Sequence, residues 1–312
     1  MVIGIPRALL YWKYSAFIET FFKECGVEIL VSPDTNKEIL DAGVKFCVDE
    51  ACLPVKVFHG HVNWLKDKCD AILVPRIMQL HKREYICPKF CGLPEMVKNS
   101  MTDLPYITEE PIYAVTEKEL FMSSKSIAEG FIKNKRVIRR AFKIALEKQK
   151  SFKYGYNDES YNMRVGLLGH PYNIYDKFCN MDIVNKLHEL GVGVITEEYV
   201  DNSARDKSVE GLFKKPFWTF ARNAYGASAD LHDGNKVDGF IYISSFACGI
   251  DSVVIELIKE RIGDFPLLIL KLDEHSGEAG LETRVEAFVD MIERRMNNEG
   301  KLSESGKFIS CG

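Results

Sequence analysis

Two stretches of the chain carry the same order of hydrophobic and polar positions. A short apolar run at residues 2–5 leads through a loop at Pro6-Arg7 to apolar positions at helical spacing, Phe17, Ile18, Phe21, Phe22 and Cys25. Gly26 ends that pattern before a second run at 27–31. The order returns after residue 160, with a run at 165–168, a loop at Gly169-His170-Pro171, helical positions Ile183, Val184, Leu187 and Leu190, a terminal Gly191, and a run at 192–195. Continuous short apolar runs separated by helices of this length predict parallel strands buried on both faces. Further strands are expected at 71–74, 239–244 and 267–270.

Between the two repeats, residues 117–150 read as one or two helices with a basic face of Lys133, Lys135, Arg136, Arg139, Arg140 and Lys143. That face is either a solvated connector or a docking surface for an acidic partner. Residues 151–162 are polar and poor in helix formers, and so mark a linker. The expected architecture is α/β: two Rossmann-like parallel-sheet domains, 1–115 and 163–312, facing a central cleft and joined by a helical connector at 116–162.

Composition narrows the function classes. The 312 residues are 46% hydrophobic and 28% charged, with a formal charge of −4, which excludes collagen-like and disordered chains and disfavours a dedicated nucleic-acid binder. The most apolar window, 239–258, is interrupted by Asp251, Ser252 and Glu256, so no membrane span is expected. The first residues lack a basic segment followed by a small-residue cleavage site, which points to a cytoplasmic protein. The unusual count is nine cysteines. In a reducing compartment these are metal ligands or buried apolar side chains rather than disulfides.

Local context divides them. Cys25, Cys47, Cys69 and Cys179 lie in or beside predicted helices and apolar stretches, and Cys311 lies on a tail. Cys52, Cys87, Cys91 and Cys248 occupy loops beside glycine or proline, at predicted element ends. Pro54 suits the first turn of a helix beginning just after Cys52, where backbone N–H groups favour a thiolate. Cys248 follows the 239–244 strand and precedes a helix that Asp251 is placed to cap. A structural zinc site normally shows two close ligand pairs, whereas here one C-x3-C pair is joined by distant single cysteines. An iron–sulfur cluster tolerates such spacing better, with zinc or no metal as alternatives.

Other groups are weaker. His275, Glu278 and Arg284 stand where a loop enters a helix after the 267–270 strand, beside Gly277 and Gly280. They are candidates to bind a cofactor or donate a proton beside it, or form an ordinary helix entry. His170 stands in the second repeat where Pro6-Arg7 stands in the first, and is a further candidate. His59 and His61 point to different helix faces and do not pair as metal ligands. Lys56 either adds positive charge near the cysteines or is solvated, and Phe217, Trp218 and Phe220 read as packing residues. Neither G-x-x-x-x-G-K-[ST] nor G-x-G-x-x-G occurs, so nucleotide binding by those modes has no support.

The motifs Ile3-Gly4-Ile5-Pro6-Arg7, Glu50-Ala51-Cys52-Leu53-Pro54, Cys87-Pro88-Lys89-Phe90, Gly169-His170-Pro171-Tyr172-Asn173, Ser245-Phe246-Ala247-Cys248-Gly249-Ile250-Asp251 and the segment from Asp273 to Phe288 come in an order that resembles the acyl-CoA dehydratase activase-related family. That family is related to the D-component of 2-hydroxyglutaryl-CoA dehydratase and to benzoyl-CoA reductase subunits. The resemblance implies a 4Fe-4S cluster in the cleft, reduced by an ATP-dependent activase that carries its own iron–sulfur cluster, and an acyl-CoA substrate. It matches Cys52, Cys87 and Cys248 to cluster cysteines and leaves Cys91 open as a fourth. A double-cubane cluster recruiting Cys47 or Cys179 is a larger variant. The contrasting class is a non-redox two-domain binding or scaffold protein with zinc-bound or apolar cysteines.

Overall fold

The computed structural model describes residues 1–306, with side chains to residue 298; Cys311 lies outside the described residues. The first half runs β1 (Val2–Ile5), α1 (Tyr11–Glu24), β2 (Glu28–Val31), α2 (Lys37–Phe46), α3 (Leu53–Leu65), β3 (Ala71–Ile72), β4 (Arg76–Gln79), α4 (Pro88–Cys91), α5 (Leu93–Ser100), β5 (Tyr106–Ile107), β6 (Pro111–Tyr113), α6 (Glu117–Glu129) and α7 (Lys135–Ser151). The second half runs β7 (Met163–Gly169), α8 (Pro171–Tyr175), α9 (Ile183–Glu189), β8 (Val192–Thr196), α10 (Asn202–Ser208), α11 (Thr219–Asp233), β9 (Gly239–Ser245), α12 (Gly249–Ile262), β10 (Leu267–Leu272) and α13 (Glu278–Gly306).

Each half is built on a four-stranded parallel sheet, in the order β2-β1-β3-β5 and β8-β7-β9-β10. The two orders are equivalent. In both, the chain leaves an inner strand for one edge and returns to the opposite side, which opens a crevice beyond the carboxyl ends of β1/β3 and of β7/β9. The continuous apolar runs form these strands because both faces are covered: Val165, Leu167, Phe240, Ile241 and Ile243 are each fully buried. Gly26 and Gly191 stop the first helix pattern of each half with φ of +77° and +75°, a conformation that favours glycine.

Helices α6 and α7, expected as a connector, complete the core of the first half. Ile127, Ala128, Ile138, Ala141, Phe142 and Ala145 bury one face against α1, where Phe142 meets Phe17 edge-on at 5.8 Å. All six basic residues expected on α7 and its approach are exposed, so amphipathic spacing sorted them to the outer face. The polar segment after α7 then runs beside β8, with Asn157 bridging antiparallel to Ile195. No helix among the described residues is long and apolar enough to cross a membrane.

Helices α2 and α3 touch backbone to backbone through two glycines. A Cβ at Gly60 would lie 1.9 Å from the Ile39 carbonyl oxygen, and one at Gly43 would lie 2.0 Å from that of Lys56. Backbone cannot give way as a flexible side chain does. Gly60→Ala is therefore expected to destabilise the protein by about 3 kcal/mol or more, at the upper end of overpacking costs, and chemical denaturation measures it. A loss below about 1 kcal/mol would mean that the helices separate freely.

Candidate functional site

Cys52, Cys87 and Cys248 each occupy the residue immediately before a helix, at the starts of α3, α4 and α12. None of the three side chains caps its helix, so each sulfur is left for something else. Thiolates at such positions are favoured by unpaired N–H groups and, for the longer α3 and α12, by the helix dipole. Ala247, just before Cys248, takes φ of +60°, an uncommon conformation for a residue with a side chain. It turns the chain sharply between the end of β9 and α12.

The three cysteines come from different loops, yet they act on one another. Burial pushes the Cys87 thiol up, with Cys52 and Cys248 reinforcing the rise and the Lys89 N–H and His170 opposing it. The phenol of Tyr172 is likewise pushed well up by burial and then by Cys52, Asp251, Cys87 and Cys248. Tyr172 thus sits within electrostatic reach of all three sulfurs. It stacks on His170 with ring centres 5.0 Å apart and planes 5° apart.

His170 begins α8 directly after β7, and Cys248 follows β9, so both stand at the crevice of the second sheet. Gly169 permits this close approach: its φ is +141°, and a Cβ there would lie 2.3 Å from the Ile243 carbonyl oxygen on the neighbouring strand. His170, Cys248 and Asp251 bring one donor atom each within 4.8 Å of one another. His170 Nε2 lies 3.0 Å from Asp251 Oδ1. Burial works against a charged imidazole, but Asp251 and Cys248 outweigh it and hold the His170 pKa well above the usual range.

Asp251 does not cap α12. Its fully buried carboxylate accepts hydrogen bonds from Tyr242 and Ser244, both at 2.8 Å, and is kept below the usual range against the effect of burial by His170 and these hydroxyls. Asn173 Oδ1 accepts from Ser245 at 3.1 Å, tying α8 to the end of β9. The loops carrying His170 and Cys248 are therefore fixed to each other by side chains.

Three sets of contacts join the halves around this place. Lys56, buried on α3, forms a salt bridge with Glu274 after β10. Thr35 donates to Asp176 Oδ2 at 2.5 Å and is in turn 3.0 Å from His61 Nε2, while His61 Nδ1 lies 2.8 Å from the Ser32 hydroxyl. Tyr85 N–H donates to the Phe217 carbonyl and Thr219 N–H to that of Tyr85, at 2.7 and 2.9 Å. The neighbouring Arg222 guanidinium reaches Glu84 at 2.9 Å and Asp206 at 2.5 Å.

The remaining candidates have their own neighbours. Cys91 ends α4 and directs its sulfur to the Ile77 carbonyl at 3.4 Å, beside Arg76. His275 is 86% exposed, Glu278 pairs with Lys186, and Arg284 donates to the Ile269 carbonyl. The polar groups of Glu278 and Arg284 are thus engaged, and it is their neighbour Glu274 that reaches the first half. Lys56 is not solvated but buried. Cys47 is an electrostatic neighbour of Cys52, whereas Cys179 pairs with Asp176. His59 Nδ1 lies 2.8 Å from the Val55 carbonyl, apart from His61. Tyr172 and the roles of Asp251 and Glu274 were not foreseen, although all three stand inside the motifs that carried the resemblance.

A search of curated proteins finds no match. Among solved structures, the chain is similar to glutamate racemase isoform RacE1 from Bacillus anthracis over 94% of its length and 82% of that chain, but at 11% identity and a TM-score of 0.22 the likeness carries no argument. Family models give the positive result: one described as a CoA enzyme activase uncharacterised domain matches residues 2–200, and one for the 2-hydroxyglutaryl-CoA dehydratase D-component matches residues 120–292. Each spans more than half of the chain and together they cover both sheets, so the chain belongs to the CoA enzyme activase-related and 2-hydroxyglutaryl-CoA dehydratase D-component family.

Proposed function

We propose that this chain is the cluster-bearing component of a 2-hydroxyacyl-CoA dehydratase-like system, with Cys52, Cys87 and Cys248 holding a 4Fe-4S-type cluster in the cleft. The observation that carries this reading is the placement of three uncapping cysteines at three helix starts, drawn from both halves and electrostatically coupled through Cys87 and Tyr172. All three are free of disulfides. Soft sulfur donors at helix N-termini, partly buried, suit such a cluster.

A bound cluster supplies one-electron chemistry, and three thiolates leave one iron without a cysteine. The chain's own residues provide the setting. The helix starts place backbone N–H groups beside the sulfurs, His170 presents its imidazole beside Cys248, and Tyr172 lies within electrostatic reach of all three thiols. The salt bridge of Lys56 with Glu274 and the Tyr85 backbone pairing hold the halves together. The implied partner is an ATP-dependent activase with its own iron–sulfur cluster, and the implied substrate is an acyl-CoA thioester.

Anaerobic reconstitution with iron and sulfide tests the reading. The expected product is brown, holds about four iron and four sulfide per chain, and takes up one electron from a low-potential reductant with a new paramagnetic signal. A second reading rests on the proximity of His170, Cys248 and Asp251, which could hold a single zinc ion. Colourless protein with one zinc per chain after the same treatment establishes that reading and overturns the first. An iron content near eight would call for Cys47 as well.

A further inference from the structure

A cavity of about 300 Å³ lies inside the first half, away from the cysteines. It is bounded by the end of β1, by α1 and by α6 and α7, and its wall includes Phe17, Phe21, Phe58, Leu73, Ile112 and Leu146. Protein interiors are packed so that few voids exceed a water molecule, and a dry apolar cavity of about 150 Å³ already takes up benzene. Twice that volume accommodates roughly ten to twelve carbons.

The polar groups of the lining fall into two sets. Tyr11 donates to Glu19 at 2.7 Å, Ser124 to the Leu120 carbonyl at 2.7 Å, and Gln149 uses its amide on the Lys13 carbonyl and the Phe17 N–H. These groups already have protein partners and ask nothing of a ligand. The side chains of Tyr14 and His81 have no hydrogen bond among the described residues. His81 lies toward the second half, in the field of Arg222, Lys13 and Arg205, with Asp206 the opposing acid. The cavity therefore has an apolar body and one polar end, where Arg222 is balanced by Glu84 and Asp206.

We infer that this cavity binds a linear acyl chain of about eight to twelve carbons, with its carboxylate or thioester head at the His81 end. The chain fills the space between α1, α6 and α7, and the head remains beside Tyr14 and His81 near the interface of the halves. This inference does not depend on what the cysteines hold.

Calorimetric titration of the full chain with straight-chain carboxylates of six to sixteen carbons, and in a separate arm with decanoyl-CoA, tests it. Affinity should rise about fourfold per added carbon up to about ten to twelve carbons and then level or fall, with a negative heat-capacity change. Stronger binding of the carboxylates identifies a free acid as the occupant; stronger binding of decanoyl-CoA identifies a thioester. Ser124→Leu and Ala114→Leu each place a larger side chain into the cavity and should weaken decanoate binding at least tenfold while the circular dichroism spectrum is unchanged. Cys52→Ser should leave it unaltered, so that failure of chain binding and failure of iron uptake are separately visible. Absence of binding at every chain length in both arms, or binding that neither filling variant weakens, overturns the inference.

Discussion

Serine in place of Cys52, Cys87 or Cys248 is expected to lower the iron retained after anaerobic reconstitution to about a tenth or less of the wild-type value, with fold retained. The hydroxyl is nearly the same size, but it is a harder donor and stays protonated where a thiol ionises. No side-chain hydrogen bond from these cysteines caps a helix, so their replacement removes no capping bond. Cys91→Ser serves as the contrast. Its sulfur makes a weak bond to the Ile77 carbonyl, and the serine hydroxyl can replace it, so iron content should stay near wild type and stability within about 1 kcal/mol. Iron and sulfide assays with circular dichroism decide the outcome. Loss of iron in Cys91→Ser as complete as in Cys248→Ser would give the centre a fourth thiolate, and full retention in all four variants would remove the cysteines from it.

Stability should fall steeply between pH 6.5 and 3, and His61→Gln should flatten that fall. His61 is fully buried, and burial, then Arg7, pushes its pKa down to about 3 from an ordinary 6.5. Its surroundings fit a neutral ring. Thr35 donates to Asp176, which requires the His61 Nε2–H to donate to Thr35 Oγ1 and leaves Nδ1 to accept from Ser32. Between pH 6.5 and about 3 the unfolded chain binds a proton at this position that the native chain does not, so stability is complete above pH 6.5 and is lost as the pH falls. The full loss reaches about 5 kcal/mol. His59 adds in the same direction, while Asp176, whose pKa burial raises, offsets part of the effect at the acid end. His61→Gln is expected to be less stable at pH 7 by about 1–3 kcal/mol, through weakened hydrogen bonds, yet to lose less on acidification. Urea unfolding at pH 7, 5.5 and 4.5 measures both effects. Parallel pH curves for the two proteins would show that the imidazole titrates normally in the native state.

Much of the architecture was legible because the strands are buried on both faces and so appear as unbroken apolar runs, with Gly26 and Gly191 as stops. The small β4–β6 sheet was not legible, since Arg76–Gln79 and Pro111–Tyr113 are short and only partly buried. The placement of α6 and α7 was missed for a different reason. Helical spacing shows that Ile138, Ala141, Phe142 and Ala145 share a face, but not which neighbouring core receives it. At the site, glycine and proline beside Cys52, Cys87 and Cys248 marked element ends, and these proved to be helix starts. The same cue included Cys91, whose direction depends on one turn of α4. Asp251 looked like a cap because it stands in a first turn. Its actual partners, Tyr242 and Ser244, come from the preceding strand β9 and leave no periodic trace.

The numbering of the groups around the cleft sets an order for making the protein. A ribosome releasing the chain from its first residue delivers Cys52 and Cys87 early, but they gain His170 and Tyr172 only when β7 and α8 have emerged, and Cys248 only after β9. Lys56 waits longer still for Glu274. Domains fold as units during synthesis, so the first half completes its own core, including α6 and α7, while its two thiols still face solvent. Assembly of the proposed centre would thus be a late event, with the two early thiols open until then to oxidation or to stray metals.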